Sequence, residues 1–81
     1  MKPKEKAQQL YTNAYLRYCN ELSHEKNFIT AKDISQYICN EVLGYLKCLE
    51  KDKEELLDNY VFWFKVKDIL SESSHKKLYK Y

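Results

Sequence analysis

The chain contains almost no glycine or proline, the two residues that most strongly mark tight turns. Its 81 residues include one glycine, Gly44, and one proline, Pro3, and no Asn-Gly or Gly-Gly pair. Two-residue hairpin loops depend on such pairs, and an isolated strand is not stable in water. Sheet structure is therefore disfavoured even in the run Tyr60-Val61-Phe62-Trp63-Phe64, whose side chains prefer strands. The sequence predicts an all-α protein.

Three segments carry apolar residues at helical spacings of three and four. The first begins at Pro3, a residue that suits the first position of a helix, and is expected to cover residues 3–24. The second is expected to cover residues 31–49, with Thr30 as its N-cap and Asp33 at N3, an arrangement close to a capping box, although Glu or Gln is usual at N3. The third is expected to cover residues 53–72, after a turn near 50–53. The predicted architecture is a three-helix bundle in which residues 1–72 form one domain.

Two features of this prediction stay open. No glycine or proline enforces the turn near 50–53, so the second and third helices could form one long helix. Gly44 lies inside the second helix, where glycine costs about 1 kcal/mol relative to alanine. Either another backbone approaches closely there, or the glycine is simply tolerated at a helix margin.

The second and third helices carry more apolar surface than a small bundle buries. In each, the apolar residues span roughly 240° of the circumference. The surplus is expected to be an exposed association surface, and tyrosine and tryptophan dominate such interfaces. The alternative is that the aromatic side chains pack a thick core. The residues expected to bind protein are Tyr60, Phe62, Trp63, Val66 and Ile69 on the third helix and the row Tyr11, Tyr15 and Tyr18 on the first.

Catalytic and metal-binding chemistry is not indicated. The cysteines, Cys19, Cys39 and Cys48, form no CxxC pair and lie far in sequence from His24 and His75. We therefore expect neither a zinc site nor any other cofactor. Both histidines fall in predicted loop or tail positions, where a fixed catalytic geometry is hard to maintain, so no enzyme is predicted. The odd cysteine count and the lack of a secretory leader indicate a cytoplasmic protein with reduced thiols, and the longest apolar run is too short for a membrane span.

The end of the chain, residues 73–81, is expected to be a flexible or frayed basic tail. Its sequence "HKKLYKY" interleaves three lysines, Lys76, Lys77 and Lys80, with two tyrosines. Lysines can contact phosphates and tyrosines can stack on bases, so weak nucleic-acid binding is one interpretation. A solvated tail is the other.

Three stretches of sequence carry a resemblance. They are "PKEKAQQL" at residues 3–10, "AKDISQYICNEVL" at residues 31–43 and the aromatic "YVFWFKVKDIL" at residues 60–70. Together they resemble small, mostly uncharacterised helical proteins from phages and prophages of Bacteroidota, over about residues 3–70. Phe64 departs from the pattern, since such proteins more often carry a polar residue there.

The resemblance implies an accessory protein of a phage or mobile element, with no established activity to transfer. By analogy, such a protein could bind and sterically inhibit a component of a host defence system, such as a CRISPR–Cas effector, in the manner of an anti-CRISPR protein. The expected partner is thus a host or phage protein in the host cytoplasm. A self-associating homodimer and a small nucleic-acid-binding regulator are the alternatives.

Overall fold

The computed structural model describes residues 1–19, 23–48 and 53–79, without the side chains of residues 53–55. Within these ranges the chain forms four α-helices and no strand: α1 at Pro3–Tyr18, α2 at His24–Lys47, α3 at Lys53–Glu72 and α4 at His75–Leu78. The predicted all-α class is confirmed. No helix in the described ranges is both long enough and apolar enough to cross a membrane.

The three long helices each pack against the other two, and α4 packs on α1. Two contacts show that α2 and α3 run in opposite directions: the Tyr60 hydroxyl donates to the Leu43 carbonyl oxygen at 3.4 Å, and Lys32 Nζ donates to the Ser71 carbonyl oxygen at 3.0 Å. The second and third helices are therefore separate. The predicted turn near 50–53 lies outside the described residues, apart from the first residue of α3.

The core is built largely from small and medium side chains. On α2 its centre is Ala31, Ser35 and Cys39, all fully buried, and the Ser35 hydroxyl donates to the Ala31 carbonyl oxygen at 2.7 Å. Tyr37 and Tyr45 belong to the apolar stripe of this helix in the sequence, but they are 64% and 65% exposed. Neighbouring helices instead pack against the row of small residues spaced by four, so the buried face of α2 is centred on that row and not on the apolar stripe. The fully buried apolar residues are Ala7, Tyr11, Cys19, Ala31, Cys39, Val66, Leu70 and Leu78.

The predicted start of the second helix was wrong. Thr30, the expected N-cap, lies inside α2. Ser23 takes that position instead: its backbone is extended, and its hydroxyl accepts a hydrogen bond from the Lys26 backbone N–H at 3.4 Å. The polar run after Ser23 was interpreted as a loop because it lacks apolar residues, but it forms the exposed face of the first helical turns, while Asn27 is buried below it.

The predicted ends of the first helix and of the domain also differ from the structure. The first helix was expected to reach residue 24, but α1 ends at Tyr18 with Cys19 as its C-cap, and His24 begins α2; residues 20–22 lie outside the described ranges. Residues 75–78 of the expected tail form α4, and Leu78 is fully buried. A single leucine among polar residues gave little sign of periodicity, yet its burial against α1 fixes this turn. Residues 80–81 lie outside the described residues.

Helix α1 is the shortest of the three long helices, and this shapes the molecule. It has 16 residues against 24 in α2 and 20 in α3. Pro3, at its start, shares a surface hollow with Lys65 and Ile69, so α1 begins beside the middle of α3. The first half of α3 and the end of α2 extend past α1 as a two-helix end, and the molecule measures 44 × 20 × 18 Å.

Candidate protein-binding surface

An apolar row lies on the solvent side of α3. Leu57, Val61 and Phe64 follow one another at spacings of four and three, and they are 62%, 44% and 47% exposed. The half-buried ring of Tyr60 stacks on Phe64, with centroids 5.9 Å apart and an interplanar angle of 20°. These four residues are called the outer face of α3 below. They give one helix a continuous strip of apolar surface in contact with solvent.

The position of this strip follows from the packing of α3. Val66 and Leu70, both fully buried, mark the side of α3 that faces the core. At 100° per residue, Leu57 and Phe64 fall on the opposite side of the helix. Leu57 and Val61 also belong to the two-helix end, which α1 does not reach. Leu57, Val61 and Phe64 are left exposed to solvent, whereas Tyr60, at the edge of the outer face, also reaches the Leu43 carbonyl oxygen of α2.

Most of the predicted binding residues on the third helix instead support the fold. Val66 has no exposed surface, so its assignment to a binding surface was wrong. Phe62, Trp63 and Ile69 are half-buried and pack against the core. The rings of Phe62 and Trp63 meet edge to face at 5.7 Å, and Lys6 Nζ lies 5.8 Å from the Trp63 ring centroid. Of the five predicted residues, only Tyr60 belongs to the outer face.

The predicted tyrosine row on α1 also divides. Tyr11 is fully buried, so its assignment to a binding surface was wrong as well. Tyr15 is half-buried, and Tyr18 is 65% exposed. The three residues therefore do not form one surface for a partner.

The sequence pattern did contain a signal for the missed residues Leu57, Val61 and Phe64. Leu57 and Phe64 lie at the edge of the 53–72 apolar arc, where a pattern alone does not decide between core and solvent. Which of these side chains stay exposed depends on where α1 begins along α3, and tertiary packing determines that position. In the sequence, Phe64 stands out only as the position that departs from the resemblance to phage and prophage proteins.

A second constellation joins both histidines to two tyrosines of α1. The Tyr11 hydroxyl lies 2.6 Å from His75 Nδ1, and the Tyr15 hydroxyl lies 2.9 Å from His24 Nδ1. The two imidazole rings meet edge to face, with centroids 4.7 Å apart. The expectation that these histidines lack fixed geometry was wrong, because each is the first residue of a helix, α2 or α4.

The environment of this His–Tyr cluster changes its acid–base properties. Burial lowers the pKa of His75, and the neighbouring His24 lowers it further. Burial also raises the pKa of the Tyr11 phenol well above its usual value, with a smaller contribution from Tyr15. Within the cluster, the surroundings of His75 therefore favour a neutral imidazole and those of Tyr11 a neutral phenol.

The two buried cysteine thiols, Cys19 and Cys39, offer little nucleophilic character. Burial raises the pKa of Cys19. Burial also raises the pKa of Cys39, although Lys67 opposes this shift. Protonated thiols are poor nucleophiles. Across the described ranges, no group of three or more His, Cys, Asp or Glu residues is arranged to hold a metal ion.

The lysines that suggested nucleic-acid binding lie on or beyond α4. Lys76 and Lys77 are exposed, and Lys80 is outside the described residues. The ring of Tyr79, which could have stacked on a base, instead stacks on His75 at 4.9 Å and meets Tyr15 edge to face at 5.3 Å. Its aromatic surface is thus engaged within the protein.

The fold and its surface define a small all-α protein whose third helix presents an apolar row to solvent. Comparison of the chain with protein-family models, curated proteins and solved structures found no match.

Proposed function

We propose that the chain is a non-enzymatic protein-binding domain that docks the outer face of α3 into an apolar groove on another protein. The observation that carries this proposal is the exposure of Leu57, Val61 and Phe64 at positions i, i+4 and i+7 of one helix. Helices that bind in grooves use anchors at this spacing. Isolated exposed apolar residues are common on proteins, but a contiguous strip on one helix is typical of an interaction site.

The strip also specifies the partner's chemistry. From Leu57 to Phe64 it extends about 10 Å along the axis of α3, at 1.5 Å per residue. A complementary groove would be apolar along that length, with pockets for three side chains. The flanking residues Asp58, Lys65 and Asp68 are exposed, so the groove's rim would be polar and of mixed charge.

The setting of this activity rests on the resemblance to phage and prophage proteins. The three long helices pack on one another and α4 packs on α1. Their shared core makes the domain a rigid support for the outer face of α3. Steric blocking requires a rigid surface and no catalytic group. We therefore extend the proposal to inhibition of a host protein, with a defence component such as a CRISPR–Cas effector as the candidate target.

Affinity capture from a lysate of the natural host tests the proposal. Three baits are compared: the unmodified chain, Phe64→Glu and Tyr37→Glu. Tyr37 is a matched control because it is an aromatic residue, 64% exposed, on the solvent side of α2. We expect a protein that the unmodified chain and the control retain and that Phe64→Glu loses, since a buried charge opposes docking in an apolar groove.

Circular dichroism of each bait shows whether it is folded. The proposal is wrong if a folded Phe64→Glu bait retains the same proteins as the unmodified chain. Light scattering separates the self-association alternative: a dimer of the unmodified chain that Phe64→Glu converts to a monomer would assign the outer face to a second copy of the chain.

A further inference from the structure

The short helix α4 is attached to α1 by a small set of identifiable contacts. Leu78 is fully buried in the core cluster, and its carbonyl oxygen accepts a hydrogen bond from Thr12 Oγ1 at 3.3 Å. Gln8 Nε2 donates to the Lys77 carbonyl oxygen at 2.9 Å. A third hydrogen bond between α1 and α4, 2.6 Å long, joins the Tyr11 hydroxyl to His75 Nδ1. Helix α4 has only four residues, so its helical form depends on these contacts.

We propose that α4 is a proton-sensitive clasp, which stays docked on α1 while His24 and His75 are neutral and is released when they become protonated. The geometry behind this inference is the pair of imidazole rings 4.7 Å apart, one carried by α4 and the other by α2. Two imidazolium ions at that separation repel each other. Because His75 is on the clasp and His24 is on the main body, their repulsion acts directly against docking.

The groups around His75 add to this effect. From α1 it faces the rings of Tyr11 and Tyr15, and burial raises the pKa of the Tyr11 phenol, which keeps that group neutral. From α2 it faces His24, and Glu25 lines the same open groove of about 360 Å³. Directly after α4, its C-cap residue Tyr79 places its ring beside His75. Glu25 is the one acidic group among them, and a single carboxylate cannot neutralise two imidazolium ions.

Exposed charges near the cluster act in the same direction. Lys76 and Lys77, on α4, add positive charge beside His75. His24 is the first residue of the 24-residue helix α2, where the helix dipole disfavours a cation. The exception is Glu72, which ends α3 two residues before the α4 cap: its solvent-exposed carboxylate acts in the opposite direction.

The direction of the pH effect follows from proton linkage. Burial and His24 hold the pKa of His75 below its usual value in the docked state. The docked state therefore binds fewer protons than the released state, so acidification favours release. Docking is at full strength above the ordinary histidine pKa of about 6.5 and weakens as the pH falls below it. The Tyr11 contact can survive protonation, since a protonated Nδ1 can donate to the phenol oxygen. Release is therefore driven by the repulsion between the two imidazolium ions and by the cost of burying the charge on His75, which must outweigh that hydrogen bond.

Release would change the surface of α1. Tyr11 is buried and Tyr15 half-buried while α4 is docked, and both contact rings of α4. With α4 gone, these two aromatic side chains would face solvent on the same side of α1. The clasp therefore controls access to an aromatic surface that is separate from the outer face of α3.

Methyl NMR of the full chain between pH 8 and pH 5 tests the clasp. We expect the Leu78 methyl resonances, shifted by neighbouring rings in the docked state, to move towards random-coil positions below about pH 6.5. The Val66 methyl resonances should stay in place, because Val66 lies in the main core. In His75→Gln, which cannot gain a proton, Leu78 should remain docked to pH 5; in His24→Gln, release should move to lower pH.

The proposal is overturned if the Leu78 resonances of the unmodified chain do not change over this range, or if His75→Gln releases Leu78 at the same pH. If His75→Gln is already released at pH 8, the histidine ring-proton titration of the unmodified chain decides. A His75 midpoint below that of a short unstructured peptide supports the clasp, and a midpoint at or above it rejects the clasp.

Discussion

Gly44 shows how a single residue can suggest a role that the fold does not require. The sequence allowed either a close backbone approach or a tolerated glycine. A Cβ atom built at Gly44 meets nothing within 4 Å, and the backbone is not in the left-handed region. The close-approach interpretation is therefore wrong, and Gly44 is an exposed helical glycine without a packing role among the described residues.

Replacing this glycine should stabilise the protein. Gly44→Ala fills open space, reduces the conformational freedom of the unfolded chain and is expected to raise the free energy of unfolding by about 0.5–1 kcal/mol. In a domain of this size that corresponds to an increase in Tm of roughly 4–8 °C per kcal/mol. Thermal unfolding followed by circular dichroism measures the change. A lower Tm would contradict this expectation and would show that the added methyl group clashes with another part of the chain.

At the scale of single elements, the sequence predicted the three long helices and both bounds of the third, but it missed the end of the first and the start of the second. Apolar spacing identified the three long helices, because their periodicity extends over many residues. The start of α2 was missed because Thr30 and Asp33 resemble a capping box, while the true cap, Ser23, precedes a polar run. Local sequence signals compete at helix ends, and packing beneath Asn27 and Ala31 decides between them.

Two matched substitutions test where α2 begins. Ser23→Ala removes the side chain that caps the Lys26 N–H and is expected to lower the free energy of unfolding by about 1 kcal/mol. Thr30→Ala lies within the helix, where alanine is the better helix former, and is expected to change it by less than about 0.5 kcal/mol. Urea denaturation of both variants gives the comparison. A larger loss for Thr30→Ala would restore the helix start predicted from the sequence.

The third helix shows the same limit for the binding surface. Its wide apolar arc correctly indicated more apolar side chains than the core accepts. Which of them are left over could not be predicted, since Phe62, Trp63 and Phe64 are consecutive and equally apolar. Contacts with α1 and α2 bury the first two in part and leave Phe64 at 47% exposure.

At the scale of the whole molecule, the length of α1 decides what is exposed. Because α1 is shorter than its neighbours, α2 and α3 continue beyond it as a two-helix end, and part of the outer face of α3 lies there. No turn signal in the sequence determines these relative positions of the helices. The sequence also could not show that His24 and His75 meet at the other end of α1, since they are 51 residues apart (75 minus 24).

The two ends of the molecule therefore have different proposed roles. The end that carries Leu57 and Val61 offers a permanent apolar surface for a protein partner. The opposite end, where α4 covers Tyr11 and Tyr15, holds an aromatic surface whose exposure depends on pH. Neither role requires a catalytic group, so both fit a protein that acts by binding.

The affinity of the captured partner for the unmodified chain and for Phe64→Ala is the most direct test of the account. Removing a hot-spot aromatic costs about 2 kcal/mol or more, so we predict that Kd rises by a factor of about 30. The free energy of unfolding should change by less than about 1 kcal/mol, because Phe64 lies outside the buried core. A Kd within about twofold of the original, measured on a folded variant, would contradict the assignment of the outer face of α3 as the binding surface.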